Sequence, residues 1–180
     1  MRPLKEFGSP ALEALGPIPY CQLNRMLDAA YPEGALNYWK SNFLAELSDS
    51  AIDAMIEAFA RCPTPMGQLL LEHFHGAATR VGVGDTAFPL RKNGYNFLVL
   101  AEWMDTADSD RCIAWARQSY DATKCFFSSG RYVNYLSDDE SQDDPVAAAY
   151  GPNYPRLQEI KAKYDPNNFF HLNQNIRPLL

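Results

Sequence analysis

Residues 95–103 read Tyr-Asn-Phe-Leu-Val-Leu-Ala-Glu-Trp, and this stretch decides the fold. Its nearly continuous apolar character predicts a strand buried at the centre of a sheet. Aromatic and apolar runs predict two further strands, Asn37–Leu44 and Gln68–Phe74. The second is expected to continue through Ala77–Val81, and Tyr132–Leu136 is predicted as a short fourth strand.

Helices are predicted between these strands. Ser48 is a good N-cap, and an apolar stripe follows it at helical spacing: Ile52, Met55, Ile56 and Phe59. A long helix is predicted over Asp108–Phe127, capped by Asp108 or Ser109, and further helices over Gln22–Tyr31 and Pro155–Tyr164. The order strand, helix, strand, strand, helix, strand, helix predicts an α+β fold, an antiparallel sheet with helices packed on one face.

Composition excludes several classes of protein. The chain has 180 residues and a formal charge of −6, which argues against a nucleic-acid binder or a basic membrane-surface protein. Neither a secretory leader nor an apolar run long enough for a membrane span is found. The four cysteines form no C-x-x-C pair, so a reduced cytoplasm is expected. Ten Tyr, ten Phe and three Trp hint at an aromatic-lined cavity.

No metal or nucleotide site is predicted. His73 and His75 are expected to point to opposite faces of a strand, which disfavours a shared metal. The segment Ser137–Pro145 has five acids and no base, and a solvated loop is favoured over a metal site. Gly82-x-Gly84 lacks the third glycine and the following helix of a dinucleotide fingerprint.

Two motifs near the carboxyl end carry a family resemblance. Arg131–Leu136 reads RYVNYL, and some 30 residues later Lys163–Phe170 reads KYDPNNFF and Leu172–Ile176 reads LNQNI. In this order and spacing they resemble the carboxyl end of the berberine-bridge-enzyme-like flavin oxidases, members of the FAD-linked oxidases. Asn37–Ser41 and Leu71–Gly76 resemble strands of that family's substrate domain.

The resemblance implies a partial chain. Family members have an amino-terminal FAD-binding domain that often carries a His and a Cys for covalent attachment. This chain resembles only the substrate-binding domain, residues 1–136, and the carboxyl-terminal segment, residues 137–180. A fragment, a separately encoded remnant and one half of a split enzyme are all compatible with that. FAD is the implied cofactor of the complete enzyme, and this chain alone is not expected to retain it.

The resemblance also implies catalytic residues. Tyr135 is similar to the family's general base, which removes a hydroxyl proton while hydride passes to flavin N5. A phenol has a reference pKa of about 10, so it needs nearby positive charge or donors, for which Lys40 and Arg131 are candidates. Glu72 matches a position that supplies the base in some members. The family's turn has Gly where this chain has His75.

Further site residues are implied in the same way. Tyr132 and Asn134 are expected to contact the isoalloxazine, although a regular strand would put them on the face opposite Tyr135. Asn173 and Asn175 resemble a segment that returns to the FAD domain, where amides can bond flavin carbonyls and ring nitrogens. The predicted substrate-side residues are Tyr38, Trp39, Lys40, Phe74 and His75, with alternation allowing Tyr38 or Trp39 on that face but not both.

Two functions stay open at this point. One is the substrate-binding part of a flavin-dependent oxidoreductase that oxidises an alcohol, sugar or amine by hydride transfer to FAD with O2 as acceptor. The other is a stand-alone, non-enzymatic binding or interaction domain that keeps the fold. The expected partners are a small-molecule substrate, a separate FAD-binding domain and a second copy, since a sheet face left open favours a homodimer.

Overall fold

The computed structural model describes residues 3, 6–9, 15–137 and 144–179. The chain divides into two units, residues 1–33 and 34–180. In the first, residues 15–33 are exposed and hold a short helix, α1 (Tyr20–Asn24), and a 3-10 turn, Asp28–Ala30. The predicted helix Gln22–Tyr31 is therefore shorter and begins earlier, because no apolar face of this segment is buried to extend it.

The second unit is built on a three-stranded antiparallel sheet. Its strands are β1 (Leu36–Leu44), β2 (Gln68–Phe74) and β3 (Gly94–Trp103), in the order β1-β3-β2. Every residue of β3 except Tyr95 is buried. The predicted central strand and the α+β sheet with helices on one face are confirmed, since β3 has a strand on either side and the long helices pack against one face of the sheet.

Three helices of this unit follow the predicted pattern, and two short helices are additional. The helix α2 (Asp49–Phe59) begins at Ser48, whose Oγ accepts a hydrogen bond from the Ala51 N–H at 3.3 Å. A four-residue helix, α3 (Ala77–Arg80), follows β2, and α4 (Ser109–Thr123) follows β3. Pro145–Tyr150 and Tyr154–Tyr164 form α5 and α6.

The core lies between the sheet and the helices α2 and α4. Phe97 and Val99 of β3 pack there against Met55 of α2 and Trp115 of α4. The Trp115 Nε1–H donates to the Ala58 carbonyl oxygen at 2.9 Å and so ties α4 to α2. Among the described residues, no helix is long and apolar enough to cross a membrane.

Two predicted strand segments are helical instead. Ala77–Val81 was expected to continue β2, but Gly76 has φ +67° and turns the chain into α3. Val133–Tyr135 forms a 3-10 turn, in which the Tyr135 N–H donates to the Tyr132 carbonyl at 3.0 Å. The prediction of a fourth strand is therefore wrong. These residues make their backbone hydrogen bonds within the turn and not with the edge of β1.

The chain reaches that turn by leaving the edge of β1. The Ser128 N–H donates to the Phe43 carbonyl at 2.7 Å, and Leu44 forms an isolated bridge with Phe127. Gly130, with φ +110°, then turns the chain away from the strand. The acidic segment predicted as a solvated loop lies, over residues 138–143, outside the described residues.

Asp165 attaches residues 169 and 170 to the end of α6. Its carboxylate accepts hydrogen bonds from the backbone N–H of Phe169 at 2.7 Å and of Phe170 at 3.0 Å. The Lys161 ammonium lies 2.5 Å from Asp165 Oδ2 and 2.6 Å from the Phe170 carbonyl oxygen. These donors, Lys161 first, hold the pKa of Asp165 below its usual range.

Replacing Asp165 with Asn should release this attachment. Because the folded-state pKa is lowered, the attachment is complete above about pH 4 and is lost as the pH falls through the folded pKa. We expect the hydrogen-exchange protection of the Phe169 and Phe170 amides to fall roughly tenfold in Asp165→Asn at neutral pH. Asp121→Asn, at an exposed position of α4, is the control. Unchanged protection in Asp165→Asn would contradict the role of the carboxylate.

Candidate active site

The face of the sheet opposite α2 and α4 carries the candidate site, and we call it the site face. Side chains alternate along β3, so Asn96 points to the site face while Phe97 joins the core. The register places Glu72 of β2 and Phe43 of β1 on either side of Asn96. A carboxylate and an amide are thus directly opposed on neighbouring strands.

Two donors hold the carboxylate of Glu72. The Asn96 Nδ2 donates to Glu72 Oε2 at 2.6 Å, and the Tyr135 hydroxyl donates to Glu72 Oε1 at 3.1 Å. Asn96 is completely buried. The structure therefore brings together the two residues predicted to be catalytic, and it adds an amide that the prediction did not include.

The 3-10 turn explains why Tyr132 lies beside the tyrosine that bonds Glu72. Residues three apart are eclipsed in a 3-10 turn, so Tyr132 and Tyr135 lie side by side with ring centroids 5.2 Å apart. The Asn134 Nδ2 donates to the Tyr132 hydroxyl at 2.8 Å, and the Asn134 side chain is otherwise exposed. The prediction that Tyr132 and Tyr135 lie on opposite faces is wrong, because it assumed that these residues form a strand with alternating side chains.

A cavity of about 570 Å³ opens beside this group. Its lining residues are mostly aromatic: Glu72, Phe74, Ala78, Phe88, Arg91, Tyr132 and Tyr135. Arg91 lies over the Phe88 ring at 4.9 Å and donates to the Ala78 carbonyl at 3.0 Å. Its guanidinium is thereby fixed in the wall and brings positive charge to a cavity that also holds a carboxylate.

The predicted substrate residues separate into two groups. Trp39 and Phe74 lie on the site face, where the Trp39 ring is 6.4 Å from that of Tyr135 and Phe74 meets Phe43 edge to face. Tyr38 lies on the other face, where its hydroxyl accepts a hydrogen bond from Arg117 Nε of α4 at 3.0 Å. The structure thus places Tyr38 away from the cavity, as strand alternation requires once Trp39 faces it.

The predicted basic neighbours of Tyr135, Lys40 and Arg131, each donate a hydrogen bond to a side-chain hydroxyl. The Lys40 ammonium donates to Ser137 Oγ at 3.1 Å and is buried. The Arg131 guanidinium donates to the Tyr120 hydroxyl of α4 at 2.5 Å. Both contacts hold residues 131–137 against the sheet and α4, which positions the turn that carries Tyr135.

His75 lies with a second histidine and not in the wall of the cavity. Its ring centroid is 4.3 Å from that of His73, which stacks on Tyr95 at 4.6 Å. Residues two apart on extended backbone share a side, so the prediction that the histidines face opposite ways is wrong. Within the described ranges no group of three metal-ligating residues is found.

The tail of the chain contacts the residue that follows the 3-10 turn carrying Tyr135. The Gln174 Nε2 donates to the Leu136 carbonyl at 3.2 Å. Asn173 is exposed and has φ +57°, whereas Asn175 is half-buried. Among the described residues, the buried Oδ1 of Asn175 has no hydrogen-bond partner. Asn175 therefore offers an acceptor close to the part of the chain that holds Tyr135.

Sequence reasoning missed Asn96, Phe88 and Arg91. Asn96 had a signal, because an amide within an otherwise apolar central strand must be buried and therefore needs a partner. Phe88 and Arg91 follow β2 in irregular chain, where no periodicity indicates which side chains turn inward. Glu102, the other polar residue of the apolar stretch, is also buried, and desolvation raises its pKa.

The chain is similar in sequence to known FAD-linked oxidoreductases. Residues 131–177 match the family described as berberine and berberine like. An FAD-linked oxidoreductase of Dictyostelium discoideum is 30% identical over 98% of this chain and 38% of its own length. A tetrahydroberberine oxidase of Berberis wilsoniae is 26% identical over 82% of this chain and 31% of its own length.

Solved structures show the same fold. A glycopeptide hexose oxidase complexed with teicoplanin aligns with a TM-score of 0.70 and 26% identity, over 81% of this chain and 33% of its own. The berberine bridge enzyme of Eschscholzia californica aligns with a TM-score of 0.73 and 23% identity, over 83% of this chain and 34% of its own.

The fold is that of the FAD-linked oxidases. The chain belongs to the berberine-bridge-enzyme-like family of FAD-linked oxidoreductases. It spans less than half the length of each relative described above.

The bond between Tyr135 and Glu72 can be measured in the chain by itself. We expect Tyr135→Phe and Glu72→Ala to be non-additive, with a coupling of about 1–2 kcal/mol in the free energy of unfolding, because each removes the same hydrogen bond. Urea unfolding of both single variants and the double variant gives this value. Tyr164→Phe, at a tyrosine that is 74% exposed, is the matched control and should combine additively with Glu72→Ala. Additive effects of Tyr135→Phe and Glu72→Ala on the free energy of unfolding would contradict the hydrogen bond between the two residues.

Proposed function

We propose that this chain supplies the substrate side of a flavin-dependent oxidoreductase that oxidises an alcohol, sugar or amine with O2 as the final acceptor. The observation that carries the proposal is the hydrogen-bonded series Asn96–Glu72–Tyr135 at the wall of an aromatic cavity. A phenol that donates to a fixed carboxylate is equipped to move a proton. Removing a proton from a substrate hydroxyl or amine is what hydride loss from the adjacent carbon requires.

Each residue of the series has a distinct part in the proposed reaction. Tyr135 takes the substrate proton on its hydroxyl oxygen as its own proton passes to Glu72 Oε1. Asn96 holds Glu72 Oε2, so the carboxylate keeps Oε1 directed at the phenol. Phe74, Phe88 and Tyr132 position the substrate by ring contact. Glu72 and Arg91 offer polar groups for a substrate that bears hydroxyls or an amine.

The residues present fit a flavin ring. When bound, FAD accepts the hydride at N5 and passes the electrons to O2. Tyr132 offers an aromatic wall to its flat ring system, and Asn134 and Asn173 offer exposed amides. The buried Asn175 Oδ1 matches the single ring N–H that a flavin presents. These four residues would hold one side of the ring, while the phosphate-binding loops belong to the family's FAD domain.

Reconstitution tests the proposal. The isolated chain should bind FAD weakly, since its contacts reach only one side of the ring, and titration calorimetry measures this affinity. Co-expression with the part of the Dictyostelium discoideum relative that this chain does not cover should yield a yellow complex with flavin absorbance. Sub-micromolar FAD affinity of the chain alone would contradict the assignment of one-sided contacts. A colourless complex would favour a non-enzymatic binding domain.

Tyr135→Phe tests the proposed base in that complex. The substitution keeps the ring and removes the hydroxyl, so flavin reduction by substrate should slow by about 10²–10⁴-fold. Stopped-flow absorbance measures flavin reduction directly, and Tyr164→Phe is again the matched control. An unchanged rate in Tyr135→Phe would exclude this residue, and Glu72→Gln would then be tested as the base.

A further inference from the structure

The guanidinium of Arg91 lies in the wall of the aromatic cavity and is held there by uncharged partners. Its Nε donates to the Phe88 carbonyl oxygen at 3.2 Å, its Nη1 to the Ala78 carbonyl oxygen at 3.0 Å and its Nη2 to Thr86 Oγ1 at 2.6 Å. Arg91 is half-buried and lines the cavity. An arginine has five N–H groups, so one N–H on each Nη is left to bind a further acceptor.

The charge of Arg91 is not neutralised within the described part of the chain. None of the described carboxylates forms an ion pair with it. The other charged group of the cavity, Glu72, directs its carboxylate oxygens to Asn96 and Tyr135 instead. A guanidinium whose partners are two carbonyls and a hydroxyl keeps its full positive charge, and the remaining N–H groups make it a site for an anion.

The loop that carries Arg91 is also fixed from the other side by Asn153. Asn153 follows α5, and its Nδ2 donates to the carbonyl oxygens of Val83 at 2.7 Å, Thr86 at 3.1 Å and Ala87 at 3.4 Å. Thr86 thus accepts Arg91 on its hydroxyl and Asn153 on its carbonyl. A guanidinium that is already held in place loses little freedom when an anion binds, and this preorganisation favours binding.

We propose that Arg91 binds a carboxylate of the substrate, so that the substrate is a carboxylic acid that also carries the hydroxyl or amine to be oxidised. The N–H groups left on Nη1 and Nη2 donate to the carboxylate oxygens, and Asn153 is a positioning residue that acts through Thr86. The proposal deepens the proposed function and rests on it for the group that is oxidised. The carboxylate site itself rests on the contacts of Arg91.

Charge orients such a substrate within the cavity. The carboxylate of Glu72 repels a second carboxylate, so the acid end of the substrate lies at Arg91 and the oxidised end is directed to Tyr135. The rings of Phe74 and Phe88 contact the carbon frame between the two ends. A neutral substrate would leave the guanidinium without a counter-charge once the cavity is filled, and this makes it the poorer ligand.

The phosphate groups of a nucleotide are the other anions that suit a guanidinium. They fit this cavity less well, because most of its lining is aromatic and Glu72 adds a negative charge to it. A phosphate carries more negative charge than a carboxylate, so Glu72 repels it more strongly. A carboxylate is therefore the anion that the lining favours, and pyrophosphate serves as the competing probe.

Two probes of the same shape test the carboxylate site in the full chain. Benzoate and benzamide differ in charge and hardly in size, and two-dimensional NMR titration measures both affinities and maps the amides that respond. Benzoate should bind about tenfold more tightly than benzamide, because charge-assisted hydrogen bonds are the stronger ones. The responding amides should include those of Phe88 and Arg91.

Three variants assign the preference to Arg91 and to its support. Arg91→Gln should bind benzoate and benzamide equally, and Arg91→Lys, which keeps the charge, should recover part of the preference. Asn153→Ala should lower the ratio of the two affinities, whereas a merely structural role would weaken both probes alike. Arg61→Gln makes the matched change at an exposed arginine after α2 and should keep the wild-type ratio. Circular dichroism checks the folding of each variant.

Several results would overturn the carboxylate site. Equal affinities of the wild type for benzoate and benzamide would do so, as would a preference that Arg91→Gln retains. Pyrophosphate that binds at the same amides more tightly than benzoate would assign Arg91 to a phosphate group. An unchanged ratio in Asn153→Ala would contradict the positioning role of that residue.

Flavin absorbance separates this proposal from the proposed function. A benzoate preference in a chain whose reconstituted complex is colourless would keep the carboxylate site and contradict the enzyme. A yellow, active complex of a chain that binds benzoate and benzamide equally would keep the enzyme and contradict the carboxylate site.

Discussion

The pairing of β2 with β3 in one register is the constraint on which the site depends. It sets Glu72 opposite Asn96, and the resulting 2.6 Å hydrogen bond gives the carboxylate a donor and the NH2 group of the completely buried Asn96 an acceptor. A slip by one residue would turn Glu72 toward the helices and leave Asn96 without this partner. The alternation of side chains along the buried strand β3 therefore fixes the core on one face. On the other face it fixes the position of the carboxylate that accepts the hydrogen bond of Tyr135.

Much of the fold could be predicted because its signals are local. Ser48 marked the start of α2 by its capping chemistry, and the apolar stretch around Phe97 indicated a central strand. Tyr135 and Glu72 were found through the family resemblance, but the contact between them depends on tertiary structure. The turn at Val133–Tyr135 looked like a strand, because its residues favour strands and nothing local shows that β1 offers no continuing edge. That error also hid the proximity of Tyr132 to Tyr135.

The two faces of the sheet divide the proposed work of the chain. The site face holds the proton-moving series and the aromatic cavity, and it is closed along one side by residues 131–137. The helix face holds the core, and near β2 it ends in an apolar groove that nothing described fills. The core is therefore complete around β3 and open beside β2. Such a structure is expected if this chain is the substrate side of the proposed enzyme and a further polypeptide completes it.

Disulfide trapping of the register is the most direct test of this account. Directly opposite residues of an antiparallel pair have Cβ atoms about 4.5–5.5 Å apart, close enough for a disulfide after small adjustment. Glu72→Cys combined with Asn96→Cys should therefore cross-link under mild oxidation, as peptide mass mapping would show against the four native cysteines. Efficient cross-linking of His73→Cys with Asn96→Cys instead would mean that β2 is shifted by one residue, which would contradict the placement of Glu72 beneath Tyr135.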